Sequence, residues 1–436
     1  MSVTDYSKKF TSRRFWNWFP LGIAYAALYM GRYSYIPAQA ELGELGLLTK
    51  AGLGFVTMVG AITYGVSFLF NGPLTDKIGG RKAMLIATMG SGLVNLLIGF
   101  MIATGKVGNF TTMLAVLYGV NMYFQSFASV AIVKVNSNWF HISERGVFGG
   151  IFGVLIASGL FLAYTVSPFL MKSFFVGSPQ FYFIIPGALL LVMFISTLVF
   201  IRDTPADAGF PEFSTGTDNE FDQAEKIPVL QIVKRIITHP IVLTISFIEL
   251  CTGVLRDGSI HWFGAFAKES GAPNIRLALG IGLFLSGALG SMSAGIISDK
   301  LFNSRRPPVA ALLYAMMIVV LILASIAMFA IPNDYVIKAW IFFAVIIFMS
   351  FGVIGTHGML SGAATADFGG KQATATATGI IDGFVYLGVA IQSISLGRIT
   401  SISWNYWFPF LIPFAVIGFL LSYRIRNVKP KMKGGH

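Results

Sequence analysis

Residues 72–82 read GPLTDKIGGRK, and residues 295–306 read GIISDKLFNSRR. Each stretch follows an apolar run long enough to cross a bilayer, and each carries the same Gly-x-x-x-Asp-Lys spacing. Aligning Asp76 with Asp299 gives an offset of 223 residues. Two further markers keep nearly the same step: Arg32 and Arg256 are 224 apart, and Arg145 and Lys371 are 226 apart. Self-similarity at one fixed period is the mark of a duplicated structural unit.

The composition says what kind of unit this is. Of 436 residues, 55% are hydrophobic and 11% charged, with a mean hydropathy of +0.73. A water-soluble chain carries about 25% charged residues, so this one is read as an integral membrane protein. Twelve apolar spans fit the sequence: 16–39, 51–73, 83–104, 110–135, 147–171, 179–201, 239–266, 277–298, 308–331, 335–363, 373–397 and 403–423. Their length excludes barrel strands, which need only about ten alternating residues. The expected fold is therefore all-α, with twelve transmembrane helices in two pseudo-symmetric six-helix bundles. Residues 1–201 form the first bundle, 202–238 a cytoplasmic linker, and 239–436 the second bundle with a basic cytoplasmic tail.

The net charge of +12 (31 basic against 19 acidic residues) invites a nucleic-acid reading, which the distribution rejects. Lys8, Lys9, Arg13, Arg14, Arg81, Lys82, Arg305, Arg306 and the C-terminal lysines all fall on one set of loops. The positive-inside rule accounts for that bias and places both termini in the cytoplasm. The N-terminal run is long enough to span and lacks a cleavage site, so it reads as a retained first helix. The single cysteine, Cys251, excludes an intrachain disulfide and leaves the redox compartment open. In the linker, the acidic middle reads as flexible, and IPVLQIVKRII (227–237) as a short amphipathic helix on the inner surface.

With Lys338 counted among the outer-loop residues at the edge of its span, three basic residues remain within or at the edge of helices: Arg32, Lys134 and Arg256. A charge at mid-membrane costs about 2.5–3.5 kcal/mol even on insertion scales, so each needs a reason. Tyr25, Tyr29 and Arg32 follow at i, i+4 and i+7, one polar stripe that faces a cavity better than lipid; the bland alternative is snorkelling. Arg256 shares a face with Glu249, a candidate resting partner, whereas Asp257 is better placed against His261 four residues on. Lys134 is divided between a cavity role and snorkelling. Thr378, Asp382 and Tyr386 form a second stripe, able to read substrate hydroxyls or pair with a base. His357 is a packed histidine or a site residue, and Asn121 with Gln125 is expected to bridge helices. Asp76, Arg81 and Asp299 in the repeated loops read as a conformational latch or as plain basic turns.

Seven stretches carry a likeness along the whole chain: GIAYAALYMGRYSY (22–35), GPLTDKIGGRK, NWFHISERG (138–146), RDTPADAGFP (202–211), VLRDGSIHWF (254–263), GTHGMLSGAAT (355–365) and TGIIDGFVYLG (378–388). With them the chain resembles the organophosphate:phosphate antiporters of the major facilitator superfamily, whose members include glycerol-3-phosphate and hexose-6-phosphate transporters. The resemblance implies exchange of a small phosphate ester for inorganic phosphate, by a monomer in a bacterial inner membrane, without cofactor, metal or nucleic acid. It puts Arg32 and Arg256 on the substrate phosphate and Tyr25, Tyr29 and Tyr386 on the cavity wall. Lys134 and His357 fall on a basic and a histidine position of the family. The chain departs from the pattern at Ile156, where the family has a histidine, at Tyr33 and Phe68, where it has lysines, and at His261, where it has an acid; an acid stands instead at Asp257. A sugar-phosphate sensor of the same build, or a carrier of carboxylates, fits the same residues. An enzyme does not: the sequence has no metal-ligand cluster, no nucleophile–base pair and no GxxxxGK loop.

Overall fold

The computed structural model describes residues 7–105, 109–141, 144–211, 214–215, 229–272, 275–331 and 335–428. Its elements begin with α1 (Lys8–Tyr33), capped by Ser7 accepting from the Phe10 amide, and the short α2 (Tyr35–Glu44). The expected first span, 16–39, is thus divided at Ser34. Next come α3 (Lys50–Ile78), α4 (Gly80–Thr104) and α5 (Phe110–Trp139). Asn109 caps α5 by accepting from the Thr112 amide. A continuous rod follows: α6 (Arg145–Phe161), a π-helical turn (Leu162–Val166) and α7 (Ser167–Phe174). Helix α8 (Phe181–Phe200) precedes the short α9 (Val229–Thr238), where the amphipathic segment was expected; the linker's acidic middle lies outside the described residues.

The remaining helices are α10 (Pro240–Glu269), α11 (Ile275–Leu301), α12 (Pro307–Ala330), α13 (Tyr335–His357), a π-helical turn (Gly358–Ala364), α14 (Thr365–Ile402) and α15 (Trp407–Arg424). Each of the twelve expected spans is met by a long helix or a continuous helical rod. Ten of them are long and apolar enough to cross a membrane by composition alone. The two below that threshold, α1 and α10, carry Arg32 and Arg256. Their polar faces dilute the apolar signal, as expected for helices that line a site inside the bundle.

The outer surface is apolar: Phe70, Phe100, Leu323 and Phe329 are all well exposed, which suits lipid. Inside, backbones approach closely. Helices α3 and α14 meet where a Cβ on Gly72 would lie 2.7 Å from the Ala375 carbonyl and one on Gly379 2.6 Å from that of Phe68. Small residues at such crossings bring helices close enough to seal against each other, the common solution in lipid. Helix α6 packs along α11, so two seams join the N-terminal helices to the C-terminal ones.

Candidate functional site

The site forms where α1, α3, α5, α10 and α14 converge. Arg32 is 2% exposed. Its Nε donates to Gln125 Oε1 at 3.1 Å, Nη1 to the Tyr386 hydroxyl at 2.7 Å and Nη2 to the Tyr64 hydroxyl at 2.5 Å. Its guanidinium carbon lies 4.7 Å from the Tyr29 ring centre and 4.4 Å from that of Tyr64. Neutral oxygens and π faces thus hold a buried cation with no carboxylate partner among the described residues.

Arg256 approaches from the C-terminal helices, 5.8 Å from the ring centre of the same Tyr386. It is 6% exposed, and its Nη2 has no hydrogen-bond partner among the described residues. Tyr386 therefore links the two arginines, giving its hydroxyl to one and its ring to the other. Beside Arg256 is a cavity of about 10 Å³, room for about one water molecule. Tyr29, Tyr33, Ile156, Asp257 and His261 are among the residues that line it. Tyr25 stands behind this wall, 5.3 Å from Tyr29 and stacked 5.3 Å from Phe152.

Other candidates sit elsewhere. Lys134 neither lines this cavity nor snorkels: its ammonium lies 2.6 Å from Asp76 Oδ1, both side chains buried. Glu249 does not rest against Arg256. It meets His357, Oε2 to Nδ1 at 2.7 Å, which makes His357 a paired histidine between α10 and α13. Asp257 turns from His261 to Gln392, whose Nε2 donates at 2.7 Å. Asp382 accepts from Ser361, and Thr378 bonds back to the Thr374 carbonyl at 2.9 Å, so only Tyr386 of that stripe reaches the arginines. Asn121 bridges helices as expected, donating to the Gly31 carbonyl at 3.3 Å and accepting from Asn95 at 3.2 Å. Gln125 does more than bridge, since it holds Arg32.

The repeated loops differ in use. Asp76 reaches across to α14, where Oδ2 accepts from the Thr376 amide at 2.7 Å and hydroxyl at 2.6 Å, and Oδ1 from the Ala375 amide at 3.2 Å. Asp299 stays among its own residues, bound by Arg306 at 2.6 Å and Ser304 at 3.0 Å. Arg81, read as part of a latch, takes no carboxylate through its side chain among the described residues. Its guanidinium instead binds the Leu198 carbonyl at 2.7 Å, and its amide donates to Asp203 at 2.8 Å. Burial holds the Asp203 carboxyl above the usual carboxylate range, and that amide opposes the shift only in part. Around Asp203, Trp139 donates to the Arg202 carbonyl at 3.1 Å and the Arg202 amide to Asn17 at 2.7 Å, so RDTPADAGFP ties down the ends of α1, α4, α5 and α8. The side chains of Arg145 and Lys371 lie outside the described residues.

Tyr64 and Gln392 were missed in the sequence. Tyr64 had no distinct signal, being one of several hydroxyls on α3 with Thr57, Thr63 and Ser67. Gln392 was an amide in an apolar span, but its partners Asp257 and Trp262 come from another helix and could not be read.

Comparison with known proteins follows the same lines. The family profile described as Major Facilitator Superfamily matches residues 21–393. The chain is 26% identical to the membrane sensor protein UhpC of Escherichia coli K12, over 90% of this chain and 87% of the relative. It is 25% identical to the glycerol-3-phosphate transporter of Bacillus subtilis 168, over 91% and 88%. It is 24% identical to the "Probable hexose phosphate transport protein" of Chlamydia trachomatis, over 92% and 88%.

Proposed function

The chain belongs to the Major Facilitator Superfamily, and from that membership we propose that it exchanges a small phosphate ester for inorganic phosphate by alternating access. Residues 1–201 and 239–436 act as two bundles that rock about the central site, with 202–238 as their cytoplasmic connection and both termini inside. The protein works as a monomer in a bacterial inner membrane. Relatives named for glycerol-3-phosphate and hexose phosphate support this substrate class. The observation that carries the reading is the arginine pair: two buried guanidiniums to which no carboxylate is bonded among the described residues, one with an idle Nη2, both beside Tyr386.

A guanidinium offers a planar fork of donors that matches phosphate oxygens. An incoming phosphate takes the idle Nη2 of Arg256 and displaces the Tyr386 hydroxyl from Arg32. Tyr29 and Tyr33, backed by Tyr25, shape the site around the organic group once alternating access widens it beyond this small cavity. Asp76, with Lys134 and the α14 amides, acts as the latch of one conformation; Arg81 fixes the start of α4, and Asp299 serves the equivalent loop. Asp382 and His357 support the site from behind rather than touching substrate.

Thermal-shift titration of the purified protein tests the substrate class, because a ligand of the native state stabilises with the logarithm of its concentration over Kd. Phosphate and phosphate esters should stabilise, and equimolar carboxylates should not. Stabilisation by carboxylates alone would favour another anion. The likeness to a membrane sensor favours a second reading, in which the ligand is bound and signalled but not carried. Phosphate binding without turnover in liposomes would select it.

A further inference from the structure

Among the described residues, Asp257 is the one carboxylate that lines the cavity beside Arg256. It is 8% exposed and adjoins a phosphate-binding residue in sequence, yet among the described residues no lysine or arginine pairs with it. Its bond is to a neutral amide, Gln392 Nε2. That amide is fixed in orientation: Trp262 Nε1 donates to Gln392 Oε1 at 3.0 Å, which turns the Nε2 end towards the acid. His261 lines the same cavity without hydrogen-bonding the carboxylate. The opposite wall is aromatic, with Tyr33 5.7 Å from Tyr29 and 6.1 Å from Tyr164 between ring centres.

A ligand that is only anionic meets a like charge here, within one residue of the group that attracts it. A ligand carrying a phosphate and an ammonium meets the right partner for each: Arg256 Nη2 for phosphate oxygen, Asp257 for the cation, and tyrosine faces that favour cations through their quadrupoles. Because Arg256 and Asp257 are adjacent, the two charges of the ligand must be separated by a short spacer. Resting on the phosphate reading above, we infer that the site selects zwitterionic substrates, short aminoalkyl phosphates, and that Asp257 is the residue that determines this specificity.

Titration calorimetry on the full-length protein in detergent decides it, with inorganic phosphate, 2-aminoethyl phosphate and ethyl phosphate as probes. The wild type should bind the aminoethyl ester about tenfold or more tightly than the ethyl ester, a typical effect for one charge-assisted contact. Asp257→Asn keeps an acceptor for Gln392 but lacks the charge. It should lose the preference by weakening the amino ligand and strengthening the ethyl one. If phosphate binds and the wild type holds both esters equally, the specificity inference is overturned and the phosphate reading stands. If none of the three binds, the phosphate reading fails and the inference with it. The wild-type comparison is decisive by itself should the variant not fold.

Discussion

Arg32 and Arg256 have different resting states. All three nitrogens of Arg32 are engaged by neutral oxygens, whereas Arg256 keeps a donor idle. Replacing either with lysine preserves charge and removes the fork, so phosphate affinity should fall about 10- to 100-fold, the worth of one charge-assisted hydrogen bond. Calorimetric titration of Arg256→Lys checks this, and unchanged affinity would mean that charge alone suffices. Tyr386→Phe separates rest from binding. It leaves the ring beside Arg256 and strips an acceptor from Arg32, so the ligand-free protein should lose about 1–3 kcal/mol. Phosphate then restores the missing acceptor, and its stabilising effect in thermal melts should exceed that in the wild type. A smaller effect would show that the hydroxyl helps hold substrate. The sequence announced both arginines, because a charge inside an apolar span is conspicuous. It could not announce their partners. Tyr64, Gln125 and Tyr386 come from three other helices, and only the packing of those helices selects them.

Among the elements, the seam between α3 and α14 joins the N-terminal and C-terminal helices through Asp76, which Lys134 of α5 holds by an ion pair. The ion pair is buried on both sides, so removing one partner strands a charge. Lys134→Met should cost about 3–5 kcal/mol. Asp76→Asn combined with Lys134→Met should cost much less than the two singles together, and a double-mutant cycle on denaturation free energies measures that difference. Additive losses would mean that the contact is incidental. Helix number and approximate span ends were legible because apolar length is a one-dimensional signal. The break at Ser34 and the π-helical turns after Phe161 and His357 were not. Pro37 removes the amide that would bond the Tyr33 carbonyl and Pro168 the one that would bond that of Tyr164, while the turn after His357 holds Gly358 and Gly362; such residues permit a break or bulge, and the packing of the rod against its neighbours decides which forms. Lys134 and Glu249 were misread for a related reason. Helical spacing names neighbours on one helix, and both residues found their partners on another.

At the scale of the whole molecule, the repeat read from 223–226 residue offsets brings two cations to one tyrosine near the middle of the bundle. Two guanidiniums in one closed site repel each other and resist dehydration, and a phosphate dianion relieves both. If the chain carries phosphate as proposed, the loaded carrier should close and reorient more readily than the empty one. If the empty occluded state lies about 4 kcal/mol higher, empty return is slowed roughly a thousandfold. Ile156 lines the cavity at the position where the resemblance to the organophosphate antiporters implies a histidine, so one group that could accompany substrate with a proton is expected to be missing. On the proposed function, exchange is then the expected cycle: one anion enters, the site reverses and another leaves. The most direct measurement is uptake of labelled phosphate into liposomes containing the purified protein, with and without unlabelled phosphate inside. Rapid uptake into loaded vesicles and almost none into empty ones is the predicted result, and equal initial rates in the two would contradict it.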